Sequence, residues 1–374
     1  MQTKFDNDYF PVQLKRYPTT KNNSLQAWNA ADSYLLETLH ANFTLSENSN
    51  ILIFNDAFGA LTLSLNQFKP TSLNDSYLSH NAIKTNAQSN NFDPLPNLIY
   101  QLDNSFNTFD FILIKCPKIM DYLDEFLVDI QHQIHKNTVI LIAGMVKNMP
   151  KTLWNLLESR FGSTQTSLTK KKAKVIQLKL ENTNNKSLYP IDFIQESTSL
   201  KIFSYANVFS KKSLDIGTRF LLQNLPELAS VQSIIDLGCG NGIIGLNLAL
   251  KYPDATVKFV DESFSAVKSA RLTCQHNLKD SSQHQFILND CLTGFDKNSV
   301  DLIICNPPFH QSHDLSIDTA VKMFNQSYAT LVKGGHLLVI ANRHLPYYSP
   351  LKKLFKNVKK ISSNPKFNLF LLKK

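Results

Sequence analysis

Residues 301–310, DLIICNPPFH, carry an apolar strand straight into an asparagine, two prolines and a phenylalanine. Each residue type in that corner has a chemical use. The amide oxygen of Asn306 accepts hydrogen bonds without taking a proton outright. Pro307 and Pro308 fix φ and lack an N–H, which makes a stiff turn whose carbonyls point outward unpaired. Phe309 adds a flat apolar face. Two acceptors beside a stacking platform suit a planar exocyclic amine, which is a poor nucleophile because its lone pair is delocalised into the ring. If Asn306 Oδ1 and the Pro307 carbonyl each take one N–H, the nitrogen is drawn toward tetrahedral geometry and its lone pair is aimed. Alignment of two reactants can lower a barrier by several kcal/mol.

A second constellation lies upstream. In DLGCGNG, residues 236–242, Asp236 is followed by Gly238, Gly240 and Gly242 where a strand meets a helix N-terminus, so the backbone can approach a ligand closely. Gly240, Gly242 and Gly245 also fit the dinucleotide pattern GxGxxG, a weak signal alone. Asp236 would meet a pyrophosphate with like charge, whereas it suits a ligand bearing an amine or cation. Hydride transfer has no use for the Asn-Pro-Pro-Phe corner. S-adenosylmethionine, with a sulfonium and an amino group, fits both features. Asp261, ending the next strand, is placed to accept both ribose hydroxyls, and Asp290, ending the third, the adenine amine. Either acid is also a candidate helix N-cap. His310 and His313 form an HxxH pair with no third ligand spaced to join them, so no metal is expected.

The elements that must position these residues alternate. SIIDLGCGNG, ATVKFVD, QFILND, VDLIICN and HLLVIAN read as strands, and IIGLNLALKY, SFSAVKSARLTCQHN and AVKMFNQSYATLV as helices, the last closed by Lys333, Gly334 and Gly335. That order predicts βαβ units in a parallel, doubly wound sheet with its chemistry at the carboxyl edge. The first half repeats the plan: ILIFNDAFGALTLSL lies against IIDLGCGNGIIGLNL, FDFILIKCPK against VDLIICNPPF, and NTVILIAG against GHLLVIAN. The fold expected is therefore α/β, two tandem Rossmann-like domains made by duplication. Domain 1–180 is degenerate and serves as scaffold or RNA platform. Domain 190–374 is catalytic. In this alignment Asp236, Gly238 and Gly240 face Ile53, Asn55 and Ala57, only Gly242 has a counterpart, Gly59, and Asn306 and Pro307 face Lys115 and Cys116.

The chain is long enough, at 374 residues, for two cores, and 43% hydrophobic with 18% charged residues is a globular balance. No apolar run reaches the ~18 residues of a membrane span, and the N-terminus has charges and prolines where a secretory signal needs an apolar stretch; a cytoplasmic protein is expected. Five cysteines without a CxxC pair read as buried reduced thiols. Of the net charge of +9, residues 1–185 carry 17 basic against 16 acidic side chains and residues 186–374 carry 22 against 14. The catalytic half thus holds most of the positive excess, which points to nucleic acid. Lys170, Lys171, Lys172 and Lys174, and Lys352, Lys353, Lys356, Lys359 and Lys360, are candidate phosphate contacts or ordinary solvated surface. Residues 209–217 either close over the cofactor or form the packed approach to the domain.

DLGCGNG with NPPFHQ resembles the amino-methylating S-adenosylmethionine-dependent methyltransferases. With LQAWNAADSYLL, NVFSKKSLDIGTRFLLQNLP and ANRHLPYYSPLKKLFKN, nearly the whole chain resembles the large-subunit ribosomal RNA guanine-N2 methyltransferase G family. The resemblance implies methylation of one guanine N2 in 23S ribosomal RNA, with a degenerate N-terminal methyltransferase-like domain; a monomer is expected. It carries Asn306, Pro307 and Phe309 over as the amine clamp and Asp236, Gly238, Gly240 and Gly242 as the cofactor turn. The small-subunit sibling, methyltransferase C, shares NPPFH and ANxxLPY. The rival functions are small-subunit guanine methylation, protein glutamine methylation at a similar planar NH2, and a non-catalytic RNA-binding assembly factor.

Overall fold

The computed structural model describes residues 2–19, 25–103, 105–181, 184–307 and 313–374, and of residues 313–316 the backbone alone. The chain divides into two compact units, Met1–Leu188 and Tyr189–Lys374. The first contains α1 (Ala30–Asn42), β1 (Ile51–Phe54), α2 (Ala60–Ser64), β2 (Thr71–Leu73), α3 (Tyr77–Ser89), β3 (Asn97–Ile99), β4 (Phe111–Lys115), α4 (Met120–Asp129), β5 (Val139–Met145), α5 (Thr152–Phe161), β6 (Thr164–Thr166) and β7 (Ala173–Leu178). The second contains α6 (Ile216–Gln223), β8 (Ser233–Leu237), α7 (Ile243–Lys251), β9 (Thr256–Asp261), α8 (Phe264–Asn277), β10 (Gln285–Leu288), β11 (Val300–Cys305), α9 (His313–Thr330), β12 (Leu331–Asn342), α10 (Tyr348–Leu354), β13 (Asn357–Ser363) and β14 (Phe367–Lys373).

The sheets run β3-β2-β1-β4-β5-β7-β6 and β10-β9-β8-β11-β12-β14-β13, the same order twice. Duplication is therefore visible in topology as well as in sequence. Both sheets differ from the expected all-parallel form at one edge, where β7 and β14 run antiparallel to β5 and β12. Too few residues separate β13 from β14 for a crossover helix, and parallel pairing requires one. Asn364 Oδ1 closes that turn by accepting from the Lys366 and Phe367 N–H groups at 2.9 and 2.7 Å. The glycine pair expected to end α9 sits instead inside β12, where the β11–β12 register shifts between Val300 and Leu302. A Cβ on Gly335 would stand 3.0–3.2 Å from three carbonyl oxygens, so the strand needs glycine at this bend.

The central strands are covered on both faces, which explains their unbroken apolar runs. Ile234, Leu302 and Ile304 enter one core, and Ile235, Leu237, Ile303 and Cys305 enter the other, the two-residue alternation of a strand. All five cysteines are free thiols, four of them buried. A hairpin of Ile191–Ile194 with Lys201–Ser204 covers α8. Its N–H groups at Lys201 and Phe203, and that of Tyr205 just beyond, donate to Asn277 Oδ1, Thr273 Oγ1 and Ser269 Oγ at 3.0–3.1 Å. The i, i+4 spacing of those side chains turns one face of α8 into a row of acceptors for an edge strand.

Gly245 lets α7 lie directly on the sheet, because a Cβ there would be 2.2 Å from the Phe259 ring. Gly245→Ala is expected to destabilise the second unit by about 1–3 kcal/mol through overpacking, despite the better helix propensity of alanine. Denaturant unfolding of the variant and the parent checks this; an unchanged midpoint would show that the ring moves aside freely.

Candidate active site

The register of β8 on β11 pairs Leu237 with Cys305, so the next residues, Gly238 and Asn306, leave the sheet side by side. A Cβ on Gly238 would lie 3.9 Å from the Asn306 carbonyl oxygen. The turn that follows is left-handed at Gly238, Gly240 and Gly242, with φ of +78°, +54° and +80°. These glycines do different work. A Cβ on Gly240 would meet nothing within 4 Å, which leaves its backbone open to a ligand, whereas one on Gly242 would sit 2.8 Å from Ala270 of α8. Gly242 is thus required both by its φ as the N-cap of α7 and by helix packing.

Two of the three acids of the expected cofactor site, Asp261 and Asp236, bond directly to this turn or to the helix that follows it. Asp261 ends β9, and its Oδ2 accepts from the Gly240 N–H at 3.0 Å while Oδ1 accepts from the Ser263 N–H at 3.0 Å. The carboxylate is therefore held against the open glycine. Asp236 is buried in β8, and its Oδ2 accepts from the Gly245 N–H at 2.8 Å. Burial pushes its carboxyl up to about 7, with the Gly245 N–H opposing the rise and the Asp261 charge adding to it. Asp290 is buried beyond β10 and paired through Oδ2 with Lys322 of α9 at 2.5 Å. An open left-handed glycine with a fixed carboxylate against it fits the close backbone approach and hydroxyl recognition that S-adenosylmethionine requires.

Asn306 Nδ2 donates to Thr218 Oγ1 of α6 at 3.3 Å, and Asn306 Oδ1 is a buried acceptor with no hydrogen-bond partner among the described residues. Pro307 is buried beside it. Phe309 and His310, named from sequence, lie outside the described residues, as does the side chain of His313. Among the described residues no group of histidines, cysteines or acids could hold a metal, and no helix is long and apolar enough to cross a membrane. In residues 209–217, Leu214 is buried, Asp215 caps α6, and Phe209 and Ile216 are exposed. Thr218 escaped sequence reasoning, and Asp215 entered it only within the stretch 209–217. Their signal was the match of DIGTRFLL to NAADSYLL near the start of the chain.

In the first unit the same place is filled by the protein itself. β1 pairs Phe54 with Ile114, which puts Lys115 where Asn306 stands, and Lys115 forms an ion pair with Asp32 of α1. No acid stands at the position of Asp236, which is Ile53. Asp56 from within the turn replaces it, accepting from the Gly59, Ala60, Leu61 and Thr62 N–H groups at 2.8–3.0 Å. Thr62 occupies the helix position that Gly245 has in α7, so one N–H is held by a strand acid in one copy and by a turn acid in the other. Burial raises the Asp56 carboxyl, opposed by its Thr62 bonds and the Lys115 charge.

Residues 2–182 match the family model of the RLMG N-terminal domain, and residues 199–371 match the methyltransferase small domain. The ribosomal RNA large subunit methyltransferase G of Psychromonas ingrahamii is 41% identical over 95% of this chain and 94% of its own. The enzyme of that name from Pseudoalteromonas translucida is 39% identical with the same coverage. The chain belongs to the ribosomal RNA large subunit methyltransferase G family. It is an S-adenosylmethionine-dependent methyltransferase. The fold is also that of the T. thermophilus 16S rRNA N2 methyltransferase RsmC, solved with AdoMet and guanosine, at a TM-score of 0.78 and 18% identity over 100% of this chain and 97% of that one.

The Asp236 carboxyl gives this methyltransferase a signature in pH. Its folded value lies above the ordinary 3.8, so the folded unit binds this proton more tightly than the unfolded chain. The corresponding stability is fully present below about pH 4 and is lost as pH rises through about 7. Asp236→Asn keeps an acceptor for Gly245 and carries no charge. The variant should therefore gain on the parent between pH 4 and 8, by at most on the order of 4 kcal/mol. Unfolding measured at pH 5 and pH 8 tests this; a stability difference between the two proteins that does not change with pH would refute it.

Proposed function

We propose that this chain methylates the exocyclic N2 of a guanine in 23S ribosomal RNA, working as a cytoplasmic monomer, with Asn306, Pro307 and Phe309 as the amine clamp. The observation that carries this reading is Asn306 Oδ1, a buried acceptor without a partner among the described residues, beside the open glycine turn. An unpaired buried acceptor costs about 1–3 kcal/mol, a cost that a substrate N–H would remove. S-adenosylmethionine, when bound, supplies the electrophilic methyl group. Asp236, Gly238, Gly240, Gly242, Asp261 and Asp290 form its site, with Asp261 taking the ribose hydroxyls. Asn306 Oδ1 and the Pro307 carbonyl take the two hydrogens of the amine, and Phe309 stacks on the base. No strong base is needed, because the nitrogen becomes strongly acidic once it carries the methyl group and then gives up its proton to water. Guanine is supported by the guanosine bound to the structural relative, and the large subunit by the names of the sequence relatives.

The first unit serves as a platform for RNA, since its turn is closed by Asp56 and its amine corner by Lys115 and Asp32. In the second unit a cavity of about 390 Å³ is lined by His336, Lys352, Lys356, Asn357, Lys359 and Lys373. No carboxylate lines it, and none of its four lysines is ion-paired among the described residues. Those lysines are the phosphate-binding groups we favour. Lys170, by contrast, is paired with Glu37 at 2.5 Å.

Asn306→Ala should lower kcat on the order of a hundredfold and leave cofactor affinity within a few-fold, while Asp261→Ala should do the reverse. Labelled cofactor with ribosomal RNA from cells lacking the gene reads both, with release factors as the competing substrate; methyl transfer to the protein alone would overturn the proposal. Replacing Lys352 and Lys356 by alanine should weaken RNA binding and reduce the slope of log affinity on log salt by about one for each phosphate no longer neutralised. An unchanged slope would remove those lysines from the RNA path.

A further inference from the structure

We infer that Thr218 is a positioning residue for the Asn306 amide, fixing which of its two ends faces the substrate. The inference rests on the reading of Asn306 above and adds a residue and a mechanism to it. An asparagine amide is nearly symmetric in shape, and rotation by a half turn exchanges an acceptor for a donor. A clamp for an amine works only with the oxygen outward, because an NH2 presented to an NH2 makes no hydrogen bond. Something must therefore break the symmetry.

The structure supplies it in three links. Asp215, the N-cap of α6, accepts through Oδ2 from the Thr218 N–H at 2.9 Å and lies 3.4 Å from Thr218 Oγ1. A carboxylate accepts and does not donate, so the hydroxyl proton of Thr218 goes to Asp215. Thr218 Oγ1 then has only lone pairs left for Asn306, and it meets Nδ2 at 3.3 Å. The amide is locked with its NH2 toward α6, which leaves Oδ1 as the end turned from that helix, a buried oxygen unpartnered among the described residues. Reversal would set Oδ1 against a hydroxyl oxygen whose proton is already committed. Direction passes in this way from a carboxylate to a hydroxyl to an amide. The side chain of Thr218 is itself well placed to hold its rotamer, being buried and β-branched.

The first unit provides an internal comparison. Counting from the N-cap of each helix, Asn29 of α1 corresponds to Asp215 and Asp32 to Thr218. Asp32 pairs with Lys115, the residue at the place of Asn306. Both copies thus join the third residue of this helix to the residue at the carboxyl end of the fourth sheet strand, Lys115 as its last residue and Asn306 just beyond it. In the copy without the glycine turn the pair is an acid and a base that satisfy each other. In the other it is a hydroxyl and an amide that leave one acceptor over. A pairing kept only to hold the helix on the sheet would not need that remainder.

The test uses the full chain with ribosomal RNA from cells lacking the gene. Thr218→Val keeps the shape and removes the hydroxyl, and Thr218→Ser restores it. Thr218→Val should lower kcat by about tenfold, the worth of one oriented hydrogen bond. KM for RNA and the dissociation constant for S-adenosylmethionine should stay within a few-fold, and Thr218→Ser should recover most of the rate. In the Asn306→Ala background Thr218→Val should cost nothing further, since no amide remains to orient. A Thr218→Val enzyme within twofold of the parent, or one whose loss persists undiminished in that background, would overturn the inference. Full activity of Asn306→Ala by itself would instead overturn the clamp.

Discussion

One strand pairing governs the second unit. The parallel register of β8 on β11 sets Leu237 opposite Cys305, and both chains turn out of the sheet at the next residue. Everything chemical follows from what those two exits carry. On one side Gly238 and Gly240 present backbone without side chains. On the other Asn306 begins a turn that proline stiffens. A slip of one residue would turn every side chain of the strand to the opposite face. The cores on both faces, filled by Ile234, Leu302 and Ile304 on one and Ile235, Ile303 and Cys305 on the other, hold the register where it is. Packing and the placement of the glycine turn beside Asn306 are here one constraint.

The duplicated unit shows how such a site is lost without loss of the fold. The sheet order is unchanged and Gly59 still caps α2 with φ +89°. Four substitutions close the edge. Ile53 removes the strand acid, Asp56 brings a carboxylate into the turn to serve the helix N–H groups, and Lys115 with Asp32 fills the amine corner. The three polar ones are satisfied from within the chain, which a fold needs and a binding site does not. The same helix N-terminus is therefore a closed cap in one unit and lies beside an open turn in the other.

The sequence by itself determined much of this: two α/β units, the repeated strand order, the glycine turn, the acid at the end of each following strand, and the asparagine corner. These are local in sequence, because glycine, proline and strand alternation act within a few residues. It also aligned Lys115 with Asn306, since each comes directly after a run of four apolar or cysteine residues, FILI and LIIC. Only the tertiary structure decided which glycines stay open and which are packed, because Gly240 and Gly242 differ through Ala270, a residue of another helix. It decided the antiparallel edge, the bend at Gly335 and the polar face of α8, each made by pairing with a distant segment. Above all it decided the direction of the Asn306 amide. That direction depends on Thr218 and Asp215, far away in the chain, and a hydrogen-bond chain has a polarity that no single residue type can carry.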